Sequence, residues 1–363
     1  ILICHASYNL TGEVMKKTIL CLSLGSILSM AVLPAAVNYG FSEIYGYEAG
    51  YNEKTAAGVI TENGGETVLT ENEDTDEKGN NEDSANEEKN LNAETQENKE
   101  TGSQSDFESY ITGVVAAEMP ALYENEALKA QAVAARTYAK RRMEAGNSLD
   151  TMIENGGQAY NSVDDMREKW GNNFDEYYNK IKSAVDDTEG EIMIYDGEPI
   201  LAVFHAISGG KTESAANIWS QDEPYLKSVD SSMDETSDEY IQEETIPVNT
   251  VISKLQAAKP SMAVSSGSLE GQMQIIERTE AGYVKEIQIG NAVFTGREVR
   301  ELLGLRSSDF TVRQEGENMI FTTKGYGHGA GMSQYGANEL AKEGMDYHEV
   351  LEYYYTGISF LKE

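Results

Sequence analysis

The chain has 363 residues, of which 62 are Asp or Glu and 28 are Lys or Arg, so its formal net charge is −34. Such acidity argues against a general affinity for nucleic acid, whose phosphates need cationic neutralisation, but it leaves a polysaccharide open as a partner. The two cysteines, Cys4 and Cys21, lie near the N-terminus. Their position excludes a cysteine metal site, a catalytic thiol in the main body of the chain, and a disulfide framework.

The N-terminal residues predict a membrane anchor. Residues 1–14 begin with Ile. Met15 is followed by two lysines and resembles a translation start. We therefore interpret residues 1–14 as upstream read-through. Within residues 15–40, positions 18–37 carry no charge. A stretch of that length spans a bilayer, and the lysines before it predict a cytoplasmic N-terminus. The alternative is a cleaved signal peptide with its exit near residues 34–36; in both cases the remainder is expected outside the cytoplasm.

A strongly acidic segment, residues 41–106, follows the anchor. Between positions 51 and 106 it contains sixteen acidic residues, four lysines and few large apolar side chains. Such a composition cannot bury enough apolar surface to offset the entropy of ordering the chain. We therefore expect a disordered linker that holds the folded part away from the membrane.

Residues 107–363 predict an α+β fold: a compact catalytic region of mixed helices and strands, with a smaller β-rich part at about 240–320. The strongest helix covers 126–143, because it is rich in Ala, lacks Gly and Pro, and carries acid early and base late. Asn125 is its expected cap. The pattern then predicts, in chain order, a helix over 177–187, strands over 191–207 with a turn at Asp196-Gly197, strands over 272–295 with a turn at Gly290-Asn291, a helix over 297–303 and a last helical stretch within 339–355.

The first candidate for chemistry is Glu118 in the segment ITGVVAAEMP, where it is the only charged residue. A carboxylate among apolar side chains loses water, which raises its pKa. A glutamic acid that is protonated near neutral pH can act as a general acid on a leaving oxygen. The alternative is a structural Glu that caps a helix or pairs with Arg136 or Lys129.

The second candidate segment is FHAISGGKTESAANIW, residues 204–219. In Ser208-Gly209-Gly210 the two glycines leave backbone amides open to a closely approaching ligand, and His205 and Ser208 could form hydrogen bonds to it. The alternative is a tight turn that closes a strand. A serine nucleophile is poorly supported, since the G-x-S-x-G pattern is missing.

The third segment is GYGHGAGMSQYG, residues 325–336, in which glycine falls at every second position from 325 to 331. If this segment is extended, its glycine face is bare and a substrate can lie flat on it, with Tyr326 and His328 on the opposite face. Ser333, Gln334 and Tyr335 are neutral hydrogen-bonding groups suited to sugar hydroxyls and N-acetyl groups. The alternative, equally supported, is a glycine-lined packing seam.

Metal and cofactor sites find no support in the sequence. His205, His328 and His348 are widely separated, and no H-E-x-x-H pattern occurs. We expect no metal and no cofactor.

Four segments together resemble the stage II sporulation protein D family, whose wider domain family includes proteins described as amidase enhancers. These segments are residues 109–139, 208–229, 294–310 and 324–341. The resemblance implies a membrane-tethered peptidoglycan lytic transglycosylase that acts between mother cell and forespore during engulfment. The family's catalytic Glu falls on Glu118, and its substrate is the glycan strand. The wider family also allows a non-catalytic wall-binding protein that stimulates an amidase.

The resemblance further implies a wall amidase and a polytopic membrane protein as partners. Some family members hold a structural zinc through cysteines, and this is not carried over because no cysteine follows Cys21. Gln131 and Arg136 lie on the helix after Glu118, five positions apart, so at most one is expected to face the substrate groove.

Overall fold

The computed structural model describes residues 104–154, 157–219, 222–265 and 267–363. The predicted read-through segment, the predicted membrane span and nearly all of the predicted acidic linker lie outside the described residues. Within them, no helix combines the length and the apolar character that crossing a bilayer requires.

The described residues form a mixed α+β structure with several small sheets, which confirms the predicted class. The helices are α1 (Gln104–Glu118), α2 (Asn125–Glu144), α3 (Leu149–Glu154), α4 (Val163–Trp170), α5 (Phe174–Asp187), α6 (Ala215–Trp219), α7 (Val248–Ala258), α8 (Gly296–Leu303), α9 (Gln334–Lys342) and α10 (Tyr347–Tyr354). The strands are β1 (Glu191–Tyr195), β2 (Glu198–Pro199), β3 (Phe204–His205), β4 (Ile241–Pro247), β5 (Met273–Arg278), β6 (Val284–Ile289), β7 (Ala292–Thr295), β8 (Phe310–Glu315), β9 (Asn318–Lys324), β10 (Met332–Ser333) and β11 (Ser359–Lys362).

Helix α2 is the centre of the first hydrophobic core. Its many alanines are fully buried, and such small side chains let α1, α5, α9, α10 and β1 pack closely against it. The predicted helix at 126–143 is thereby confirmed. The predicted cap is wrong: Asn125 is the first helical residue, and Glu124 is the N-cap without a side-chain bond. The backbone N–H of Glu124 instead donates to Asn338 on α9 at 2.8 Å, which anchors the entry to the helix.

A second hydrophobic core lies between residues 251 and 321. It is enclosed by α7, α8 and two antiparallel sheets, with strand orders β4-β9-β8 and β5-β6-β7. The predicted turn at Gly290-Asn291 joins β6 to β7, in register Ile289 with Ala292. Helix α8 begins with a capping box between Thr295 and Glu298 and ends at Gly304, which adopts the left-handed conformation.

The other sheets place the candidate site segments. Strands β11-β1-β2 form an antiparallel sheet, and β10 pairs in parallel with β3 through Met332 with Phe204 and Ser333 with His205. The predicted turn at Asp196-Gly197 is confirmed, with φ of 51° and 88°. The strand prediction over 191–207 is only partly right, because residues 200–203 are buried in the first core without pairing as a strand. The stretch predicted at 339–355 contains the end of α9 and all of α10, separated around Gly344.

Candidate active site

Glu118 is the last residue of α1. Pro120 prevents the helix from continuing, since the residue before a proline is driven out of the helical conformation. The preceding turns of α1 bury Ile111, Val114 and Val115 completely, whereas Glu118 is half-buried at the edge of the core. The negative end of the helix dipole at this position disfavours a further negative charge. Glu118 therefore stands where an apolar helix emerges at the surface of the core.

The end of α1 is held rigidly by neighbouring groups. The carbonyl of Ala116 accepts hydrogen bonds from Asn161 Nδ2 and Lys169 Nζ, both at 3.3 Å. On the same helix, Tyr110 stacks on Tyr160 with ring centroids 5.7 Å apart. Burial raises the pKa of the Tyr110 hydroxyl, and the charge of Glu118 adds to this shift. These contacts fix the backbone that carries Glu118.

Gln334 joins Glu118 to the glutamine of the neighbouring helix. Its Nε2 donates to Glu118 Oε2 at 3.2 Å and lies 3.4 Å from Gln131 Oε1. Gln131, on α2, is fully buried, and its Nε2 has no partner within the described residues. Three of the predicted site residues, which the sequence separates by up to 216 positions, thus meet at one place.

Gln334 is positioned by its neighbour Ser333. Ser333 is the N-cap of α9, where its Oγ accepts from Gly336 N at 3.2 Å. The same Oγ donates to Asp234 Oδ1 at 2.9 Å. Asp234 is fully buried and also accepts from Ser208 N at 2.8 Å and from Ser231 Oγ at 3.0 Å. Burial raises the pKa of Asp234, and its hydrogen bonds oppose that shift.

Tyr335 faces the same segment of the chain as Asp234. Its hydroxyl lies 3.1 Å from Thr236 Oγ1, and its backbone N–H donates to Ala206 O at 3.0 Å. Tyr123, which follows Glu118 in the chain, has its pKa raised to about 12 by burial and then by the nearby Tyr335. Tyr123 and Tyr335 therefore lie close to each other, near the carboxyl of Asp234.

The Ser208-Gly209-Gly210 segment forms a tight turn, the alternative raised above. Its amides are already occupied: Ser208 N by Asp234, Gly209 N by Tyr283 OH at 2.9 Å and Gly210 N by Ser208 Oγ at 3.1 Å. Ser208 is itself fully buried. The turn therefore donates a hydrogen bond to Asp234, and none of its three amides is open to a ligand.

The glycine-spaced segment is a packing seam. Gly325, Gly327, Gly329 and Gly331 all have positive φ, so the segment is not an extended strand. A Cβ on Gly327 would lie 2.6 Å from His205 Cβ, and one on Gly331 would meet the carbonyl of Val203. The structure thus favours the packing alternative over a bare face that receives substrate.

The remaining predicted residues lie in this seam or in the core. The Arg306 guanidinium lies over the Tyr326 ring, with its Cζ 4.3 Å from the ring centroid. His205 and His328 have ring centroids 5.7 Å apart. Burial lowers the pKa of His205 to about 4 and that of His328 well below its usual value. Ala330 N donates to His328 Nδ1 at 3.1 Å.

Arg136 is placed away from Glu118. It is 1% exposed and makes a two-pronged ion pair with Glu108, with nitrogen–oxygen distances of 2.9 and 2.7 Å. Its other contacts include the carbonyl of Glu191 at 3.1 Å. Of the two residues predicted on α2, Gln131 is therefore the one that reaches the site. In the described part of the chain, no three His, Cys, Asp or Glu side chains converge as a metal site would require.

Comparison with known proteins agrees with the predicted resemblance. A family model described as stage II sporulation protein matches residues 95–195. Stage II sporulation protein D of Bacillus subtilis (strain 168) is 38% identical over 256 residues, which cover 69% of this chain and 73% of that protein. The protein of that name from Bacillus amyloliquefaciens is 39% identical over 260 residues, with the same coverage. The amidase enhancer of Bacillus subtilis (strain 168) is 28% identical over 298 residues, covering 68% of this chain and 39% of that protein. By the identity and coverage of the first two relatives, this chain belongs to the stage II sporulation protein D family.

Proposed function

We propose that this chain is a peptidoglycan lytic transglycosylase, with Glu118 as its single acid and base. The observation that carries the proposal is the hydrogen bond from Gln334 to Glu118, which joins the E-M-P and S-Q-Y segments in one site. The side chains joined to Glu118 are the neutral amides of Gln334 and Gln131, which suit the hydroxyl and N-acetyl groups of a glycan. The sporulation relatives and the amidase enhancer support a substrate in the cell wall.

In this mechanism Glu118 acts twice. As an acid it donates a proton to the glycosidic oxygen between MurNAc and GlcNAc, and the bond from that oxygen to C1 of MurNAc breaks. As a carboxylate it then accepts the proton of the MurNAc C6 hydroxyl while that oxygen bonds to C1. The proton given is thus regained, no water is consumed, and the product is a 1,6-anhydro sugar. A second carboxylate, which hydrolases use, is not required.

Gln131 and Gln334 have supporting roles in this scheme. Gln334 orients Oε2 of Glu118, and Gln131 holds Gln334 from the core side. The Nε2 of Gln131 is buried and has no hydrogen-bond partner within the described residues. Ser333, which is fully buried and bonded to Asp234, positions Gln334, and the partly exposed Tyr335 is the hydroxyl of this segment that a substrate can reach.

Glu118→Gln tests the proposal. It keeps the shape of the side chain but removes the acid, so we expect product formation to fall by roughly 10²–10⁴-fold, the usual contribution of general acid–base catalysis. The measurement is mass spectrometry of anhydro-muropeptides released from purified glycan strands. Glu124→Gln, an exposed carboxylate six positions along, is the matched control and should retain full activity. Equal product from Glu118→Gln and wild type would exclude this role.

The amidase enhancer relative favours a second candidate, a wall-binding protein that stimulates an amidase without cleaving glycan. It predicts that wild type releases no anhydro product. It also predicts that Glu118→Gln stimulates a purified wall amidase as well as wild type does. The same set of variants therefore separates the two functions.

We also propose that the protein is anchored by one N-terminal span, with its folded part at the septum between mother cell and forespore. A wall amidase and a polytopic membrane protein are its proposed partners. The support is the uncharged stretch at 18–37 and the relatives' role in sporulation. Membrane fractionation of the full chain, with and without residues 18–37, tests the anchor.

A further inference from the structure

A cleft separates the segment around α6 from strand β6 and helix α8. Its volume is about 350 Å³, at the lower end of the range for small-ligand sites. One wall carries Glu213 and Asn217, and the other carries Lys285, Arg297 and Thr279. A cavity of this size accommodates a single sugar residue or an amino-acid side chain.

Glu213 is the unusual group in this cleft. It is 2% exposed. Its Oε1 accepts from Ser214 N at 2.9 Å and from Asn217 Nδ2 at 2.7 Å, whereas its Oε2 has no hydrogen-bond partner in the described part of the chain. Thr279 Oγ1, on the facing wall, also lacks a partner among the described residues. Two polar atoms at one cleft are thus left for an outside group to satisfy.

The charges around Glu213 do not neutralise it. Three basic side chains line the cleft: Lys285 pairs with Glu277 at 2.9 Å, Arg297 pairs with Glu301 at 2.6 Å, and Arg300 donates to the carbonyl of Arg306 at 3.2 Å. Among the described residues no basic side chain forms an ion pair with Glu213. A buried carboxylate without an ion-pair partner is costly, because its hydrogen bonds replace only part of the hydration that the carboxylate has lost.

We propose that this cleft binds a primary ammonium group, with Glu213 as its counter-ion. The ammonium would donate to Oε2 of Glu213 and to Thr279 Oγ1, and so satisfy both unpartnered atoms and neutralise the buried charge. An adjoining cavity of about 460 Å³ shares Glu213, Asn217, Thr279 and Lys285. This adjoining cavity provides room for the part of the ligand that extends beyond the ammonium group.

Two sources in the cell wall carry this chemistry: a glucosamine that lacks its N-acetyl group, and the side-chain amine of a basic amino acid in a peptide. The choice of these two sources rests on the proposed function, whereas the ammonium site itself does not. The site contains none of the residues assigned to the reaction at Glu118, so the two proposals can fail separately.

Calorimetric titration of the folded protein tests the inference with two pairs of probes. The first pair is chitobiose with free amines against its N,N′-diacetylated form, and the second is Nα-acetyl-lysine amide against Nα,Nε-diacetyl-lysine amide. We expect at least one amine probe to bind ten-fold or more tightly than its acetylated partner, and the pair that does so identifies the source. No binding by either amine, or equal binding of both members of each pair, would overturn the proposal.

Variants then place the bound amine in the cleft. Glu213→Gln keeps the bonds to Asn217 but removes the charge, so it should weaken amine binding at least ten-fold. Glu352→Gln removes an exposed carboxylate that lies outside both cavities and should bind as wild type does. Unchanged binding by a folded Glu213→Gln would overturn the site. Glu118→Gln should still bind the amine, which separates this test from the test of the proposed function.

Discussion

Glu118 is connected to the core through a short series of polar contacts. Gln334 bonds to Glu118, and its neighbour Ser333 bonds to the buried Asp234, which also holds Ser208. The geometry at Glu118 therefore depends on a residue that does not touch it. Asp234 lies in an ordinary acidic stretch of the sequence, where no local pattern distinguishes it from exposed acids. Only the folded chain shows that it is buried.

The buried histidines make the stability of the protein depend on pH. Burial lowers the pKa of His205 to about 4, below the value of about 6.5 expected in the unfolded chain. The unfolded state therefore binds more protons between these values, so the stability present above pH 6.5 is lost as the pH falls towards 4, by about 1.4 kcal/mol per pH unit. His328 shifts in the same direction.

Urea unfolding of wild type and His205→Asn between pH 7.5 and 5 measures this effect. The Asn amide can replace Nδ1 of His205, which lies 3.0 Å from the carbonyl of Ala330, but it cannot take up a proton in this range. We expect the free energy of unfolding to fall less steeply in the variant. Equal slopes in the two proteins would show that His205 is not the source.

At the scale of elements, local sequence determines several features well. The alanine-rich α2, the β6–β7 hairpin and α8 follow from propensity, turn residues and capping, all of which act within a few positions. The parallel pairing of β3 with β10 and the meeting of Glu118 with Gln334 depend on contacts across more than a hundred residues. The sequence could likewise not tell whether Gln131 or Arg136 faces the site. Arg136 is held away from the site by its ion pair with Glu108, and Glu108 lies on another helix.

Gly329 shows what the glycine-spaced segment contributes. Its φ is +86°, and an added Cβ would lie 2.5 Å from the Tyr283 hydroxyl. Gly329→Ala should therefore lose about 1–2 kcal/mol from backbone strain and a further roughly 1–3 kcal/mol from overpacking. Gly344→Ala is the matched control, since Gly344 has φ of +101° and no atom within 4 Å of the added Cβ. Chemical denaturation measures both, and equal losses would contradict the packing seam.

At the scale of the whole molecule, we expect the net charge of −34 to govern how the protein approaches its proposed substrate, the cell wall. Residues 107–363 alone contain 43 acidic and 22 basic residues. An anionic wall repels such a protein, and salt screens that repulsion over a Debye length of about 10 Å at 0.1 M. We expect the cleavage rate on whole wall to rise between about 10 and 150 mM salt, and to change less on a short glycan oligomer, whose charges are the few lactyl carboxylates of its MurNAc residues. A flat or falling rate on whole wall would contradict this.

The central claim is that glycan is cleaved without water. The most direct measurement is mass spectrometry of products made from purified glycan strands in water enriched in ¹⁸O. If Glu118 regains its proton from the C6 hydroxyl of MurNAc while that oxygen bonds to C1, the products carry 1,6-anhydro ends and no ¹⁸O. Reducing ends that contain ¹⁸O would reveal a hydrolase, and intact strands would reveal a protein that binds the wall without cleaving it; either result would contradict the account.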